Sequence, residues 1–215
     1  DIDVSKLEYE DKWILSKLNT LIKEATANLD NFDMGVYAQK IYDFTWNEFC
    51  DWYIEIAKIR LQGDDEKAKN TAKSVLVYVL TDILKLLHPF MPFITEEIYQ
   101  NLVVGLDKNV PESVHLCDWP AYNAQEVDTK LENEMDLAYK IVELGRSARN
   151  NANIKNRQPL SKMLISVRSL PEYYGNIIKE ELNIKEVDLG AEMSEYVNFD
   201  IKPNLPVLGK EYGRY

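Results

Sequence analysis

Two stretches of this chain concentrate side chains that could do chemistry. The first, Phe44-Thr45-Trp46-Asn47-Glu48-Phe49-Cys50-Asp51-Trp52-Tyr53, holds five aromatics in ten residues and runs on to Lys58 and Arg60. At helical spacing these rings point around most of the circumference, more than one buried face can take. Two readings stay open. One is a thick core helix in a bundle. The other is a surface where Trp46, Phe49 and Trp52 stack on unpaired RNA bases while Lys58 and Arg60 meet phosphate. The second stretch, residues 144–168, carries Arg146, Arg149, Lys155, Arg157, Lys162 and Arg168 with no Asp or Glu, in a chain whose net charge is −11. Arg146, Arg149, Lys155 and Arg157 are the candidates for phosphate contact, which supplies much of the affinity and the salt dependence of RNA binding. Asn150, Asn151, Asn153, Asn156 and Gln158 add hydrogen-bonding groups. The competing reading is a basic surface paired with acidic helices of the same protein.

Other chemistry finds little support. His88 and His115 are the only histidines, and neither sits in a triad or a metal-ligand pattern. His88 lies at a helix break among apolar neighbours, where a structural or capping role is expected. The carboxylates are scattered along amphipathic helices, and Glu96-Glu97 falls in a first turn, where the helix dipole favours anions. The glycines stand singly, so there is no phosphate-cradling loop.

The elements that must position these groups are mostly helices, because apolar residues recur near every 3.6 positions. Ile14, Leu18, Leu21, Ala25 and Leu29, widened by Leu15 and Ile22, form one stripe that ends at Asp30-Asn31. A second runs through Tyr37, Ile41, Phe44, Trp52, Ile56 and Ile59 and stops at Gly63. Asp64, Asp65 and Glu66 open a third helix carrying Ala68, Ala72, Val75, Val79, Ile83 and Leu87. His88-Pro89-Phe90-Met91-Pro92 must interrupt it, and Pro92 suits the start of a short helix over 93–102. Residues 103–124 read as a connecting loop. A fifth helix spans about 128–151, with Leu131, Met135, Ala138, Val142 and Gly145 on one face.

Beyond Pro159 the period changes. Residues 163–167 and 187–189 read as strands around a helix at 172–182, and 196–201 as a third strand. The expected fold is mainly α, an antiparallel helical bundle over residues 1–158 with a small, partial α/β appendage over 159–215.

Composition narrows the setting. With 215 residues, 46% of them hydrophobic, the chain can bury a sizeable core. Cys50 and Cys117 are too few for a disulfide framework, which favours a reducing, cytoplasmic location. No apolar run approaches the roughly 20 residues that span a bilayer, so no membrane partner is expected. The start, Asp1-Ile2-Asp3-Val4, lacks an initiator Met, a basic leader and an apolar signal core, as in a piece cut from a larger protein.

Several motifs are also similar to those of a known family. Asp11-Lys12-Trp13-Ile14-Leu15-Ser16-Lys17-Leu18 resembles the opening of the anticodon-binding helical domain in class I valyl-, isoleucyl- and leucyl-tRNA synthetases. Residues 87–99, Leu-His-Pro-Phe-Met-Pro-Phe-Ile-Thr-Glu-Glu-Ile-Tyr, look like the same family's helix break. Residues 46–53 resemble valyl enzymes, whereas several later segments resemble isoleucyl enzymes. These are Glu112-Ser113-Val114-His115-Leu116 with Asp118-Trp119-Pro120, and Gly145-Arg146-Ser147-Ala148-Arg149, Asn153-Ile154-Lys155 and Arg157-Gln158-Pro159-Leu160. Lys202-Pro203-Asn204 with Leu208-Gly209 completes the set.

The resemblance implies a parent ligase that uses ATP and Mg to join a branched aliphatic amino acid to tRNA for protein biosynthesis. It leans to isoleucyl, with valyl as the alternative. Signatures of the His-Ile-Gly-His and Lys-Met-Ser-Lys-Ser types are missing here, and Lys162-Met163-Leu164-Ile165-Ser166 is only an echo of the second. The fragment is therefore expected to be non-catalytic, without a cofactor or metal of its own. Its implied partners are tRNA and the upstream catalytic and editing domains. An alternative of another class is an acidic helical scaffold that binds protein and no RNA.

Overall fold

Helix α1 (Tyr9–Asp30) starts where the Glu8 backbone N–H donates to the Asp11 carboxylate at 3.0 Å. It buries Ile14, Leu18, Leu21, Ile22 and Ala25. In the computed structural model, which describes residues 2–107 and 109–192, it is followed by α2 (Met34–Asp43), α3 (Glu55–Gln62), α4 (Glu66–Leu87) and α5 (Pro92–Tyr99). Then come α6 (Thr129–Asn151), β1 (Leu160–Ile165), α7 (Glu172–Leu182) and β2 (Ile184–Leu189). The fold is mainly α with a small C-terminal appendage, as expected. Contacts group residues 1–135 and 136–215 as two units, which α6 spans. The boundary expected at 158/159 marks the end of the helical period, whereas this grouping follows packing.

In the first unit, α1 packs on α2 and α4, and α4 packs on α2, α3 and α5. Between α2 and α3 the helix continues without a break but widens to π geometry over Phe44–Ile54. This accounts for the crowded rings. The wider turn carries Phe44, Phe49, Trp52 and Tyr53 into the core and leaves Trp46 outside. It also corrects the expected stripe. Ile59 is exposed, because Arg60 takes the inward position in α3, where two carboxylates receive it.

Asp65 caps α4 by accepting the N–H groups of Lys67 and Ala68. The helix ends at His88, and Pro92 opens α5, which runs on as a π turn through Gln100–Val104.

The connector begins after residue 106, later than the loop expected over 103–124, and it runs on to α6. It contains 3-10 turns at Val114–Leu116 and Ala124–Glu126. Side chains of α1 tether it: Asn123 N–H donates to Asn19 Oδ1, Trp119 Nε1–H to Thr26 Oγ1, and Asp128 N–H to Ser16 Oγ. Beneath it Leu84, Tyr99, Val103 and Val114 form a local core.

In the second unit, β1 and β2 pair in parallel, Leu160 opposite Ile184 and Ile165 opposite Leu189, with α7 as the crossover. Both strands begin three residues before their expected starts. Asn183 explains β2. It adopts the left-handed conformation that ends α7 (φ 49°), so the chain can turn straight into a strand. Its carbonyl accepts the Leu160 N–H, which starts β1 at the same level. Lys162 lies 2.9 Å from Asp188 and 3.6 Å from Glu186 across the pair, which stabilises the register. The third strand expected at 196–201, and the motifs at 202–204 and 208–209, lie outside the described residues.

Candidate nucleic-acid interface

The structure separates the predicted contact residues sharply. Phe49 and Trp52 lie in the core of the first unit, where their faces meet protein and are closed to a base. Phe49 stacks on Tyr53 with centroids 6.2 Å apart. Trp46 is 53% exposed and sits beside exposed Tyr42, centroids 6.3 Å apart and tilted 53°. Such a ring pair can take the π-face of an unpaired base.

Lys58 and Arg60 also part ways. Lys58 is exposed and makes only a local pair with Glu55, of a kind that contributes about 0–1 kcal/mol. Arg60 was expected on phosphate, but its guanidinium is turned inward. Nη1 donates to Asp11 Oδ2 at 2.8 Å and Nη2 to Asp11 Oδ1 at 2.5 Å, while Nε lies 3.1 Å from Glu10 Oε1. Tyr53 O–H donates to the same Asp11 carboxylate at 2.7 Å. Burial, together with this anionic partner, pushes the Tyr53 hydroxyl far above its usual pKa, so it remains a donor. A cation occupied in this way is a strut of the core.

In the basic stretch three of the six cations have partners. Arg146 meets Glu181 at 2.5 Å, and Lys162 bridges the strands. Arg149, another expected phosphate ligand, is only 5% exposed. Its Nη1 donates to the carbonyls of Lys155 (3.1 Å) and Gln158 (3.0 Å), and its Nη2 to those of Leu182 (2.5 Å) and Asn183 (3.2 Å). Lys155 and Arg157 are exposed on the loop after α6 and have no carboxylate partner among the described residues.

The structure also exposes rings that the sequence reasoning did not single out. Phe32, 80% exposed, sits in left-handed conformation (φ 59°) just past the end of α1. Phe93, 89% exposed, is the second residue of α5, with Phe90 and Met91 exposed before it. Tyr37 of α2 stacks on Phe90 at 5.1 Å and donates its hydroxyl to the Leu86 carbonyl. That contact sets the first turn of α2 against the turn between α4 and α5. An aromatic among the turn formers Asp30, Asn31 and Asp33 was the available signal for Phe32.

His88 is built into the end of α4. The backbone N–H of His88 closes α4 on Leu84, its Nδ1 lies 2.6 Å from the Lys85 carbonyl, and its ring packs edge-on against His115. Both cysteines are free. Among the described residues, no group of three or more His, Cys, Asp or Glu could hold a metal, and no helix is long and apolar enough to cross a membrane.

Residues 11–164 match the family described as the anticodon-binding domain of tRNA ligase. The chain belongs to this family. This anticodon-binding domain is 61% identical, over 95% of its length, to the isoleucine–tRNA ligase of Clostridium novyi (strain NT), of which it covers 20%. Clostridium acetobutylicum supplies two relatives. Its isoleucine–tRNA ligase is 50% identical over 95% of the domain, with 20% of that protein covered. Its valine–tRNA ligase is 42% identical over 77% of the domain, with 18% covered. The chain thus spans about a fifth of the length of the curated relatives it matches.

Proposed function

We propose that this domain reads the anticodon stem-loop of isoleucine tRNA, as part of a cytoplasmic ligase that joins isoleucine to that tRNA with ATP and Mg. Catalysis and editing belong to portions of the parent outside this chain. The observation that carries the isoleucine assignment is the pair of relatives from one organism. Within that shared background the isoleucine enzyme is more similar, and over more of the domain, than the valine enzyme. Trp46 with Tyr42, and the exposed Phe32 and Phe93, offer π-faces to unpaired anticodon-loop bases. Lys58, Lys155 and Arg157 supply exposed cations for backbone phosphates, and Arg146 joins them once it leaves Glu181.

The test is a titration of the domain with isoleucine tRNA, valine tRNA and versions with exchanged anticodons, at two salt concentrations. Tighter binding of isoleucine tRNA, with the preference following the anticodon, is the expected result. Preference for valine tRNA would move the assignment to valine. Absence of salt-dependent binding to any tRNA would remove the RNA reading and favour a protein-binding scaffold.

A further inference from the structure

The only phosphate candidate in the basic stretch that the structure buries is Arg149, and its surroundings give it a different task. Helix α6 ends in a C-terminal turn: Ile154 N–H donates to the Arg149 carbonyl at 2.9 Å, and Asn153 adopts φ 55°. The chain then winds around the Arg149 side chain. Lys155 and Gln158 turn their carbonyls inward onto Nη1, while their intervening turn closes through Gln158 N–H to the Lys155 carbonyl at 2.9 Å. Nη2 reaches the last carbonyls of α7, Leu182 and Asn183. Both lie at the negative end of a helix dipole, a suitable counter-charge for a buried cation, and the Asn183 carbonyl also accepts the Leu160 N–H. No carboxylate pairs with Arg149 among the described residues. Asn156 adds a strap, donating its Nδ2 to the Glu181 carbonyl and accepting from Asn183 Nδ2 at its own carbonyl.

We propose that Arg149 is a positioning residue for RNA binding. It clamps the loop at residues 155 and 158 to the end of α7, so that Lys155 and Arg157 project in one fixed arrangement toward phosphates. The proposal rests on the tRNA-binding reading above. Its physical basis is the planar fork of guanidinium donors, whose Nη1 and Nη2 serve four carbonyls at once; a lysine ammonium has three donors on one nitrogen and cannot span both pairs.

The test compares Arg149→Gln and Arg149→Lys in two readouts. The first is tryptic cleavage after Lys155 and Arg157, followed by mass spectrometry. Four lost hydrogen bonds open the loop, and cleavage under native conditions should accelerate about tenfold or more in both variants. The second is the salt dependence of tRNA affinity. Loss of two ordered phosphate contacts should lower the slope by about 1.8 and the affinity about 30-fold at ~0.15 M salt, again in both variants. A merely unfolded fraction lowers apparent affinity and leaves the slope of the folded fraction unchanged.

If Arg149 met phosphate itself, Arg149→Lys would keep nearly wild-type binding and Arg149→Gln would lose about 0.9 of slope without faster cleavage. That pattern overturns the proposal. Should Arg149→Gln not fold, Asn156→Ala cuts one strap of the same loop. Faster cleavage there supports positioning and an unchanged rate refutes it. If the wild-type domain binds no tRNA, the functional reading fails by itself. The cleavage rates then decide the clamp alone, acceleration supporting it and no change overturning it.

Discussion

Replacing Asp11 by Ala tests whether the inward-facing Arg60 belongs to the core. The Asp11 carboxylate is fully buried and accepts from four donors: Tyr53 O–H, Arg60 Nη1 and Nη2, and the Glu8 backbone N–H. Hydrogen bonds to a charged group contribute about 1.5–3 kcal/mol each when removed singly, but bonds sharing one carboxylate do not add. Breaking a buried ion pair by deleting one partner costs about 3–5 kcal/mol, because the other charge stays buried. Glu10 still faces Arg60 in the variant, so the lower half of that range is expected, about 3–4 kcal/mol. With a urea m-value of ~2 kcal/mol/M, the midpoint should fall by about 1.5–2 M. The assay is urea unfolding, followed by far-UV circular dichroism and by the fluorescence of buried Trp13 and Trp52. A second variant, Arg60→Met, and the double variant complete a cycle. The double variant should be less destabilised than the sum of the singles by about 1 kcal/mol or more, since the Asp11–Arg60 interaction is lost once in it and counted twice in that sum. A loss below about 1 kcal/mol for Asp11→Ala, or strict additivity, would refute the buried-network reasoning. Arg60→Met should also leave the salt slope of tRNA binding unchanged, whereas loss of a phosphate contact would lower it by about 0.9.

The two kinds of ring should separate in paired assays. Trp46→Ala should weaken tRNA binding by about 1–3 kcal/mol at nearly wild-type stability, while Phe49→Ala should cost about 3–5 kcal/mol of stability. Glu96 gives a pH test. Burial opposes its ionised form, but the Val114 backbone N–H, Gln100 and Ser113 donate to it and hold its pKa below the ordinary 4.5. A depressed carboxylate stabilises the fold above its unfolded pKa and loses that contribution in acid. Wild type should therefore exceed Glu96→Gln in stability at pH 7, with the gap closing as pH falls below about 4.5 in parallel melts. Gly145→Ala places a Cβ 2.3 Å from Leu182 Cδ1, against a side chain that is fully buried and held. It should lower stability by about 1–3 kcal/mol in denaturant unfolding, despite alanine's better helix propensity.

Much of this domain was legible along the chain. The helices of the first unit follow from the 3.6-residue apolar period, and their ends from Asp30-Asn31, Gly63 and the prolines of 89–92, because those signals are local. The appendage was legible as strand, helix, strand, while its strand starts depended on Asn183 turning left-handed, a conformation no apolar period announces.

The site was legible only as composition. Five rings and six cations could be counted, but which of them face water depends on partners distant in sequence. Arg60 is drawn inward by Asp11, 49 positions away, and Arg149 by the end of α7, more than 30 positions on. The π-helical stretch rotates four rings into the core and leaves Trp46 out, and a turn enriched in polar residues lifts Phe32 into solvent. The sequence alone therefore determined the helical class, the break points and the family resemblance, since periodicity, proline and short motifs act over a few residues. Tertiary packing decided which aromatics and cations remain free for RNA, because burial of a ring or pairing of a charge is a property of the neighbours that the fold brings to it.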